Sequence, residues 1–472
     1  MITMWTQYPR TPHLPWSPGA TADDVRAVDL AGLRGREVVV TEKLDGENTT
    51  LYADGVHARS LDSGHHPSRA WVKGLQGRIG ALIPAGHRVC GENVYARHSI
   101  PYGELDSWFY GFSVWAGDAC LGWDDTVRFL RRLGIPAAPV LWRGTFDERA
   151  LRGLRLDTVR QEGYVVRTAE GFGRAEFARR VAKWVRPRHV QTDTHWMHTA
   201  VVENGLGPAA PLWAVRSGGA ADVPELVAAV GLGAGADAGV DAVVADACAR
   251  LDVLGRSGDA RLAGVLAALF HRVPRARLAA SLAAPLGMAQ ARRVADLAGL
   301  HTGLHRPFPD EERRAGLGSL SVAADLGVLH AVSAAVLAGR TGPAAEAARD
   351  QVEWSALHAE EAGLLGESPA EPLRAGVRAA LAGACGLEAD AADRCWAKAR
   401  EAWADGRIST ADEAVAATWR WRSGDFPRLI QLVGPSGSGK STFAARLDGV
   451  GTRTPTPGPA RTRRPPTPST TR

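Results

Sequence analysis

The feature that most constrains the fold is a change of sequence pattern between residues 205 and 210. Before it, short apolar runs such as Val38–Val40 and Tyr164–Val166 alternate with turn residues, which is typical of strands. After it, alanine and leucine dominate and apolar residues recur at helical spacing. We therefore predict an α+β protein, with antiparallel sheets and flanking helices over residues 1–205 and an all-helical accessory domain over residues 210–422. The predicted helical runs are Val223–Val230, Asp241–Leu254, Ala260–Phe270, Leu278–Leu297, Val322–Leu337, Ala344–Leu365 and Leu373–Ala384.

Length and composition limit the class of protein. A chain of 472 residues is too long for one core and predicts about three domains. The net charge of +5 allows a polyanionic partner without requiring one. Five scattered cysteines without a CxxC pair argue against a disulfide framework or a cysteine zinc site, and they fit a reducing cytoplasm. We expect no signal peptide and no membrane span, because neither pattern is present.

The pentapeptide Glu42-Lys43-Leu44-Asp45-Gly46 follows an apolar strand and precedes a second predicted strand, Glu47–Leu51. A lysine in this position suits an amine that acts as a nucleophile, and burial or cationic neighbours would favour attack by lowering its pKa. Gly46 would let the backbone pass close to a nucleotide. Asp-Gly is also a common turn, so the pattern needs support from the rest of the chain.

Further elements follow Lys43 in a fixed order over about 145 residues. Arg59 follows a predicted hairpin and offers a guanidinium suited to phosphate, Glu92 ends an apolar run, and Phe109–Trp115 is an aromatic strand. Glu162 begins another strand with a carboxylate suited to a divalent cation, and Lys183 lies in the run 181–186, which carries cations. Each residue alone also fits an ordinary surface or core position, but their joint occurrence favours a nucleotide site.

Residues 36–190 resemble the covalent nucleotidyltransferase superfamily of ATP-dependent ligases and mRNA capping enzymes, and most of all its RNA ligase branch. The resemblance implies that Lys43 of Lys-Leu-Asp-Gly forms the nucleotidyl-enzyme and that Glu92 binds the ribose. It also implies that Phe112 stacks on adenine, with Tyr110 or Phe109 as alternatives. It assigns the donor-end contact to Arg59, metal support to Glu162, and phosphate contact to Lys183. The family's fifth motif usually reads Lys-x-Lys, and Arg180 or Arg186 is the candidate for the second charge here.

The resemblance implies a three-step reaction with ATP and Mg²⁺ or Mn²⁺. Lys43 takes AMP and releases pyrophosphate, the AMP passes to a 5′-phosphate, and a 3′-hydroxyl seals the strand, as in RNA repair. Glu42 before the lysine and the helical segment after the fifth motif favour RNA ends over DNA. Nicked nucleic acid is the implied partner. A DNA ligase or a guanylyltransferase using the same lysine remains an alternative.

A second nucleotide motif lies near the C-terminus. The sequence from 434 to 442 follows an apolar run and matches GxxxxGK[ST], the phosphate-binding loop of P-loop enzymes. Its predicted ligand-binding residues are Gly434, Gly439, Lys440, Ser441 and Thr442. The segment 427–448 resembles the start of a polynucleotide-kinase-like domain.

The residues after 448 do not continue a kinase domain. Residues 449–472 are rich in Pro, Thr and Arg and contain no carboxylate side chain, so we predict a disordered tail. We expect a truncated kinase module without kinase activity. The competing hypothesis is a P-loop ATPase or polynucleotide kinase whose N-terminal domain only binds nucleic acid.

Overall fold

Two antiparallel sheets form the N-terminal region, which we define as residues 5–187. The computed structural model describes residues 5–61, 65–187, 200–233, 239–307, 310–366, 370–404, 406–422 and 442–443. The strands are β1 (Glu37–Lys43), β2 (Glu47–Leu51), β3 (Val56–Ala58), β4 (His87–Asn93), β5 (Phe109–Ala116), β6 (Ala119–Cys120), β7 (Val140–Thr145), β8 (Gly163–Thr168), β9 (Phe172–Gly173) and β10 (Val181–Val185). Four short helices accompany them: α1 (Ala70–Ile79), α2 (Trp123–Leu133), α3 (Glu148–Arg152) and α4 (Phe177–Arg180). The predicted antiparallel α+β character is confirmed.

The strand order places the end of β1 between the two sheets. The first sheet has the order β10-β8-β1-β7 and the second has the order β3-β2-β4-β5-β6-β9. Consecutive strands β1 and β2 therefore belong to different sheets, and residues 44–46 carry the chain from one to the other. Strand β1 pairs with β8 up to Lys43, which faces Gly163.

Each sheet has its own apolar core. In the second sheet, Leu51, Val89 and Phe109 are fully buried against residues of α1 and α2. In the first sheet, Val38 and Val166 pack against the N-terminal segment, where Leu14 is fully buried. That segment runs beside β10, because the amide of Leu14 donates to the carbonyl of Lys183 at 2.8 Å.

The helical region, residues 210–422, contains twelve α-helices among the described residues. They are α5 (Ala210–Arg216), α6 (Val223–Val230), α7 (Val240–Val253), α8 (Gly258–Leu269), α9 (Arg275–Leu286), α10 (Met288–Leu300), α11 (Asp310–Ala323), α12 (Leu326–Ala338), α13 (Pro343–Glu361), α14 (Glu371–Cys385), α15 (Ala389–Ala404) and α16 (Ala411–Ala417). Helices α8 and α12 are buried along most of their length and form the centre of the larger core.

Two predicted helical runs are each divided in the structure. The run Leu278–Leu297 is interrupted at Gly287, whose φ of +78° favours glycine and ends α9. The run Val322–Leu337 is interrupted because Asp325 caps α12 by accepting a hydrogen bond from the amide of Val328. Apolar spacing continues through both breaks, so periodicity alone missed them.

One helix pair bears on membrane insertion. Among the described residues, no single helix is both long enough and apolar enough to cross a membrane. The pair Ala315–Ala323 and Leu326–Ala338 meets the criterion only when its two arms, bent by 100°, are taken together.

The helical region packs directly against α2 of the N-terminal region. Ser257 Oγ donates to the carbonyl of Arg132 at 2.6 Å. Gly258, the first residue of α8, lies so close to α2 that an added Cβ would be 2.2 Å from the carbonyl oxygen of Arg131. The ionic contact between Arg131 and Asp259, at 3.6 Å, lies at the same junction. Backbone contact of this kind fixes the two regions against each other.

Candidate functional site

Lys43 lies where the chain leaves the first sheet for the second. Its backbone is held by β8, whereas the following residues turn towards β2 and β4. Gly46 is required at this turn for a steric reason: a Cβ there would lie 2.5 Å from the carbonyl oxygen of Asn93. The sequence therefore places a lysine at a point that both sheets fix.

A cleft of about 490 Å³ opens beside Lys43, a size that suits a small-molecule ligand. Most of the residues predicted to form the N-terminal site line it. They are Glu42, Lys43, Gly46, Arg59, Glu92, Phe112 and Lys183. Glu162 is buried and reaches the site through a hydrogen bond with Lys43.

The amine of Lys43 is paired with a carboxylate. Lys43 Nζ lies 2.5 Å from Glu162 Oε2, and Glu162 is only 6% exposed. Burial lowers the pKa of Lys43, but the carboxylates of Glu162, Glu92 and Asp45 act in the opposite direction and raise it. The expectation of a lowered pKa is therefore wrong for the free protein. The charged groups that act most strongly on the Lys43 amine are carboxylates, and the spacing of residues in the sequence does not reveal this.

Glu92 lies on β4 opposite Asn48 of β2. Burial raises its pKa to about 8, with Glu162 and Asp45 adding to the rise and Lys43 opposing it. Near neutral pH, Glu92 therefore keeps its proton in the free protein and can donate a hydrogen bond as well as accept one. Such a group suits a ligand hydroxyl.

Three further cationic side chains line the cleft, namely Lys183, Arg59 and Arg167. Lys183 of β10 has a lowered pKa, because burial and the charges of Lys43 and Arg59 disfavour its ammonium form more than nearby carboxylates favour it. Arg59 is exposed at the cleft. The candidates for a second charge beside Lys183 are used elsewhere. Arg180 pairs with Glu170 and Glu176, and Arg186 donates to the carbonyl of Thr158. Arg59 lines the cleft, and its charge contributes to the lowered pKa of Lys183.

The use of lysine here is notable for this composition. Only five of the 56 basic residues are lysines, and two of the five line this cleft. Arginine holds its proton at any pH a protein experiences, whereas lysine can release it. The two lysines of the cleft can therefore release a proton, whereas arginines at the same positions would not.

Aromatic and apolar side chains also line the cleft. Phe112 is half-buried there and meets the ring of Tyr8 edge-on, at 5.3 Å between centroids. The alternatives Tyr110 and Phe109 are buried in other clusters and do not line the cleft. Sequence reasoning missed Tyr8, because residues 5–30 carry no periodic pattern or motif that would place them beside β5.

Asp45 is not among the lining residues. Its Oδ2 accepts hydrogen bonds from the amides of Ser99 and Ile100, both at 2.8 Å, and its own amide donates to the hydroxyl of Tyr102. These bonds hold the loop after β4, which carries the lining residue His98. Asp45 therefore positions the wall of the cleft instead of facing a ligand directly.

Two neighbours of the motif also escaped the sequence analysis. Glu47 forms a two-pronged ion pair with Arg69, with Nε at 2.7 Å from Oε2. Asn48 lines the cleft, and its Oδ1 is buried without a hydrogen-bond partner in the described part of the chain. A buried amide oxygen left unpaired is costly, so this atom marks a place for a ligand donor. The sequence signal that could have identified Glu47 and Asn48 is their position directly after Gly46.

The predicted P-loop lies almost entirely outside the residues that the structure describes. Gly434, Gly439, Lys440 and Ser441 lie outside the described residues, and Thr442 is described only as an exposed helical residue. The nucleotide-binding role of this loop stays a prediction. The domain boundaries predicted at 427, 448 and 449 also lie outside the described residues and stay predictions.

Comparison with known proteins agrees with the motifs. Residues 36–185 match the model of the RNA ligase family, so the predicted resemblance is confirmed for this part of the chain. Most of the chain, including every helix after α4, lies outside the match. No curated protein matches the chain.

Two solved structures are similar. One is a mutant of the Naegleria gruberi RNA ligase with ATP and Mn, with 16% identity and a TM-score of 0.26. The other is the Naegleria gruberi RNA ligase with PPi, with 17% identity and a TM-score of 0.25. Each alignment covers 39% of this chain and 62% of the other, less than two thirds of its length.

Proposed function

We propose that this protein is an ATP-dependent RNA ligase that adenylylates Lys43, transfers the AMP to a 5′-phosphate end and seals that end to a 3′-hydroxyl. The observation that carries the proposal is the position of Lys43 Nζ: it lies 2.5 Å from Glu162 in a cleft that also holds Lys183, Arg59 and Glu92. The match of residues 36–185 to the RNA ligase family supports RNA as the substrate.

In the first step, Lys43 Nζ attacks the α-phosphorus of ATP. A P–N bond forms, the P–O bond to the β-phosphate breaks, and pyrophosphate leaves with the bond's electron pair. The ammonium must first lose a proton, and Glu162 is the carboxylate in contact with it. The cations Lys183 and Arg59 offset the negative charge that develops on the phosphates.

The other lining residues orient the nucleotide. Phe112 lines the cleft and offers a flat apolar surface for the base. Glu92 and Asn48 face each other across β4 and β2 in the lining of the cleft, and Glu92 and the unpaired Oδ1 of Asn48 can bond ribose hydroxyls. A nucleotide held in this way would present its α-phosphate to Lys43.

A divalent cation, Mg²⁺ or Mn²⁺, would be held mainly by the nucleotide itself. The described residues contain no cluster of three or more His, Cys, Asp or Glu side chains that could hold a metal ion. Magnesium commonly binds through one or two carboxylates together with substrate phosphates, so Glu162 as a single protein ligand is compatible with it. When bound, the ion would neutralise phosphate charge and favour pyrophosphate as the leaving group.

In the second step, an oxygen of the 5′-phosphate end of RNA attacks the lysine-bound phosphorus, and the P–N bond breaks to regenerate Lys43. In the third step, the 3′-hydroxyl attacks the 5′-phosphate, releases AMP and gives up its proton. These steps would serve RNA repair in a reducing cytoplasm.

The test is covalent labelling with ATP carrying ³²P at the α position, followed by denaturing electrophoresis. We expect label on the wild type and on Lys73→Ala, a matched control because Lys73 is an exposed lysine on α1 outside the cleft. Lys43→Ala should take no label. Absence of label on the wild type with both ATP and GTP would overturn the proposal. Label from GTP alone would indicate a guanylyltransferase, and joining of nicked DNA but not RNA would indicate a DNA ligase.

A further inference from the structure

A second cavity, of about 340 Å³, lies at the junction of the N-terminal and helical regions. It is bounded by the end of α2, the beginning of α8, α12 and α14, and parts of α10, α11 and α15. Its arginines are Arg131, Arg132, Arg293, Arg374 and Arg400, and its acids are Asp259, Asp325 and Glu371. The five guanidinium groups come from four different helices, so tertiary structure alone brings them together.

The acids of this junction cavity are already paired, two of them by arginines outside it. Asp325 forms a two-pronged pair with Arg256, at 2.8 and 3.1 Å, and Arg256 does not line the cavity. Asp259 accepts from Nε of Arg216 at 2.8 Å, and Arg216 also lies outside. The third acid, Glu371, pairs with Arg374 one turn later on α14. Arg400 in turn pairs with Asp296 outside the cavity, so the positive charge of Arg132 and Arg293 exceeds what the lining acids can neutralise.

The helix ends at the junction cavity add to this charge. Helices α8, α12 and α14 all begin there, and their amide ends are the positive ends of the helix dipoles. Residues Ser257 and Ala370, which precede α8 and α14, make no side-chain cap bond to those amides. Each of these helix ends also carries one of the three acids, since Asp259 and Glu371 lie in the first turns of α8 and α14 and Asp325 caps α12.

The geometry favours an extended polyanion over an enclosed small ion. The side chains of Arg131, Arg374 and Arg400 are 58%, 39% and 34% exposed, so their guanidinium groups can reach a strand that passes over the surface. Guanidinium groups bind phosphate through paired N–H donors. Trp396 lines the same cavity and offers a face on which a base can stack.

We propose that the junction cavity binds phosphates of the RNA strand and thereby gives the helical region a role in holding the substrate. The identity of the strand as RNA rests on the proposed function. The cavity itself is separate from the cleft at Lys43, since the two share no lining residue.

The experiment measures binding of a fluorescein-labelled 5′-phosphorylated single-stranded RNA by anisotropy at several salt concentrations, using the full chain. The test variant is the double change Arg293→Gln and Arg400→Gln. Asp296, the partner of Arg400 at 3.6 Å, keeps its second partner Arg275, so the fold should persist. The control is Arg292→Gln, because Arg292 is an exposed neighbour on α10 that does not line the cavity.

We expect the double variant to bind RNA about tenfold more weakly, with a salt slope reduced by about 1.4, because each lost contact to a single strand contributes about 0.7. Labelling of Lys43 by ATP should be unchanged. An unchanged affinity and slope, or an equal loss in Arg292→Gln, would overturn the proposal. So would competition that shows the cavity to take inorganic phosphate or pyrophosphate while RNA binding stays intact. Failure of Lys43 labelling is a separate result and concerns only the proposed function.

Discussion

Lys43 and Glu162 form a close ion pair between β1 and the residue that precedes β8, with Nζ 2.5 Å from Oε2. The two residues are 119 positions apart in the chain, and the antiparallel register of β1 and β8 brings them together. The pair keeps the lysine protonated in the free protein, because the carboxylate raises the lysine pKa. Its chemical behaviour should therefore be sensitive to pH and to the loss of Glu162.

The rate of Lys43 adenylylation should rise with pH between 6 and 9. The raised pKa of Lys43 leaves only a small neutral fraction, and that fraction grows about tenfold per pH unit below the pKa. Glu162→Gln removes the main raising charge, so the same rise should occur at lower pH, although the rate at its maximum falls with the loss of the base. Single-turnover labelling across the pH range measures both profiles. An unshifted profile in Glu162→Gln, matching that of an exposed control such as Glu170→Gln, would contradict this account.

Glu92→Gln should stabilise the protein more at pH 8 than at pH 5. The pKa of Glu92 is about 8 in the folded protein, so between about 4.5 and 8 the unfolded chain releases a proton that the folded chain retains. Stability attributable to this group is therefore lost as pH rises through that window, and glutamine removes the loss. We expect the melting temperature of the variant to exceed that of the wild type by a few degrees at pH 8, about 2–4 °C for each kcal/mol. The account of Glu92 would be contradicted if the melting temperatures of variant and wild type differed equally at both pH values. The same rise in melting temperature in the exposed control Glu104→Gln would also contradict it.

Asp45→Ala should destabilise the loop after β4. The carboxylate accepts from two backbone amides, those of Ser99 and Ile100, and hydrogen bonds to a charged group contribute about 1.5–3 kcal/mol each to stability, net of the bonds to water that they replace. Asp45→Asn keeps an acceptor oxygen, so its free energy of unfolding should fall less than that of Asp45→Ala. Denaturant unfolding of both variants, with the exposed Asp54→Ala as reference, measures the difference. A loss of activity in Asp45→Ala with full stability would instead indicate direct contact with the nucleotide.

Phe112→Ala should weaken ATP binding without abolishing the chemistry at Lys43. Stacking of a base on an aromatic ring is worth about 1–3 kcal/mol, so KM for ATP should rise about fivefold or more. Phe129→Ala is the matched control, because Phe129 is a half-buried ring on α2 that stacks on His87 away from the cleft. A KM that rises equally in both variants would point to a general loss of packing.

Gly258→Ala should loosen the junction between the two regions. A Cβ at Gly258 would lie 2.2 Å from the carbonyl oxygen of Arg131, and φ there is +58°. Gly255 has a similar φ of +64° with no atom within 4 Å of an added Cβ, so Gly255→Ala isolates the backbone strain, about 1 kcal/mol. Thermal unfolding should show a clearly larger loss for Gly258→Ala. Equal losses would mean that the close contact with α2 does not hold the regions together.

Sequence patterns located the elements of the candidate site better than they described its chemistry. The strand ending at Lys43, the hairpin before Arg59 and the strand after Glu162 all occur as predicted. The period of apolar residues is a local property, so short stretches of chain determine it. The breaks at Gly287 and Asp325 were missed because apolar spacing continues through them.

Sequence by itself determined which residue types the candidate site contains: a lysine at a strand end, a second lysine in β10, carboxylates at two other strands and an aromatic strand. Only the tertiary structure decided how they act on one another. It paired Lys43 with Glu162, turned Asp45 towards the amides of Ser99 and Ile100, and brought Tyr8 against Phe112. The physical reason is that pKa values and hydrogen bonds depend on distance and burial, which arise when strands distant in sequence pair.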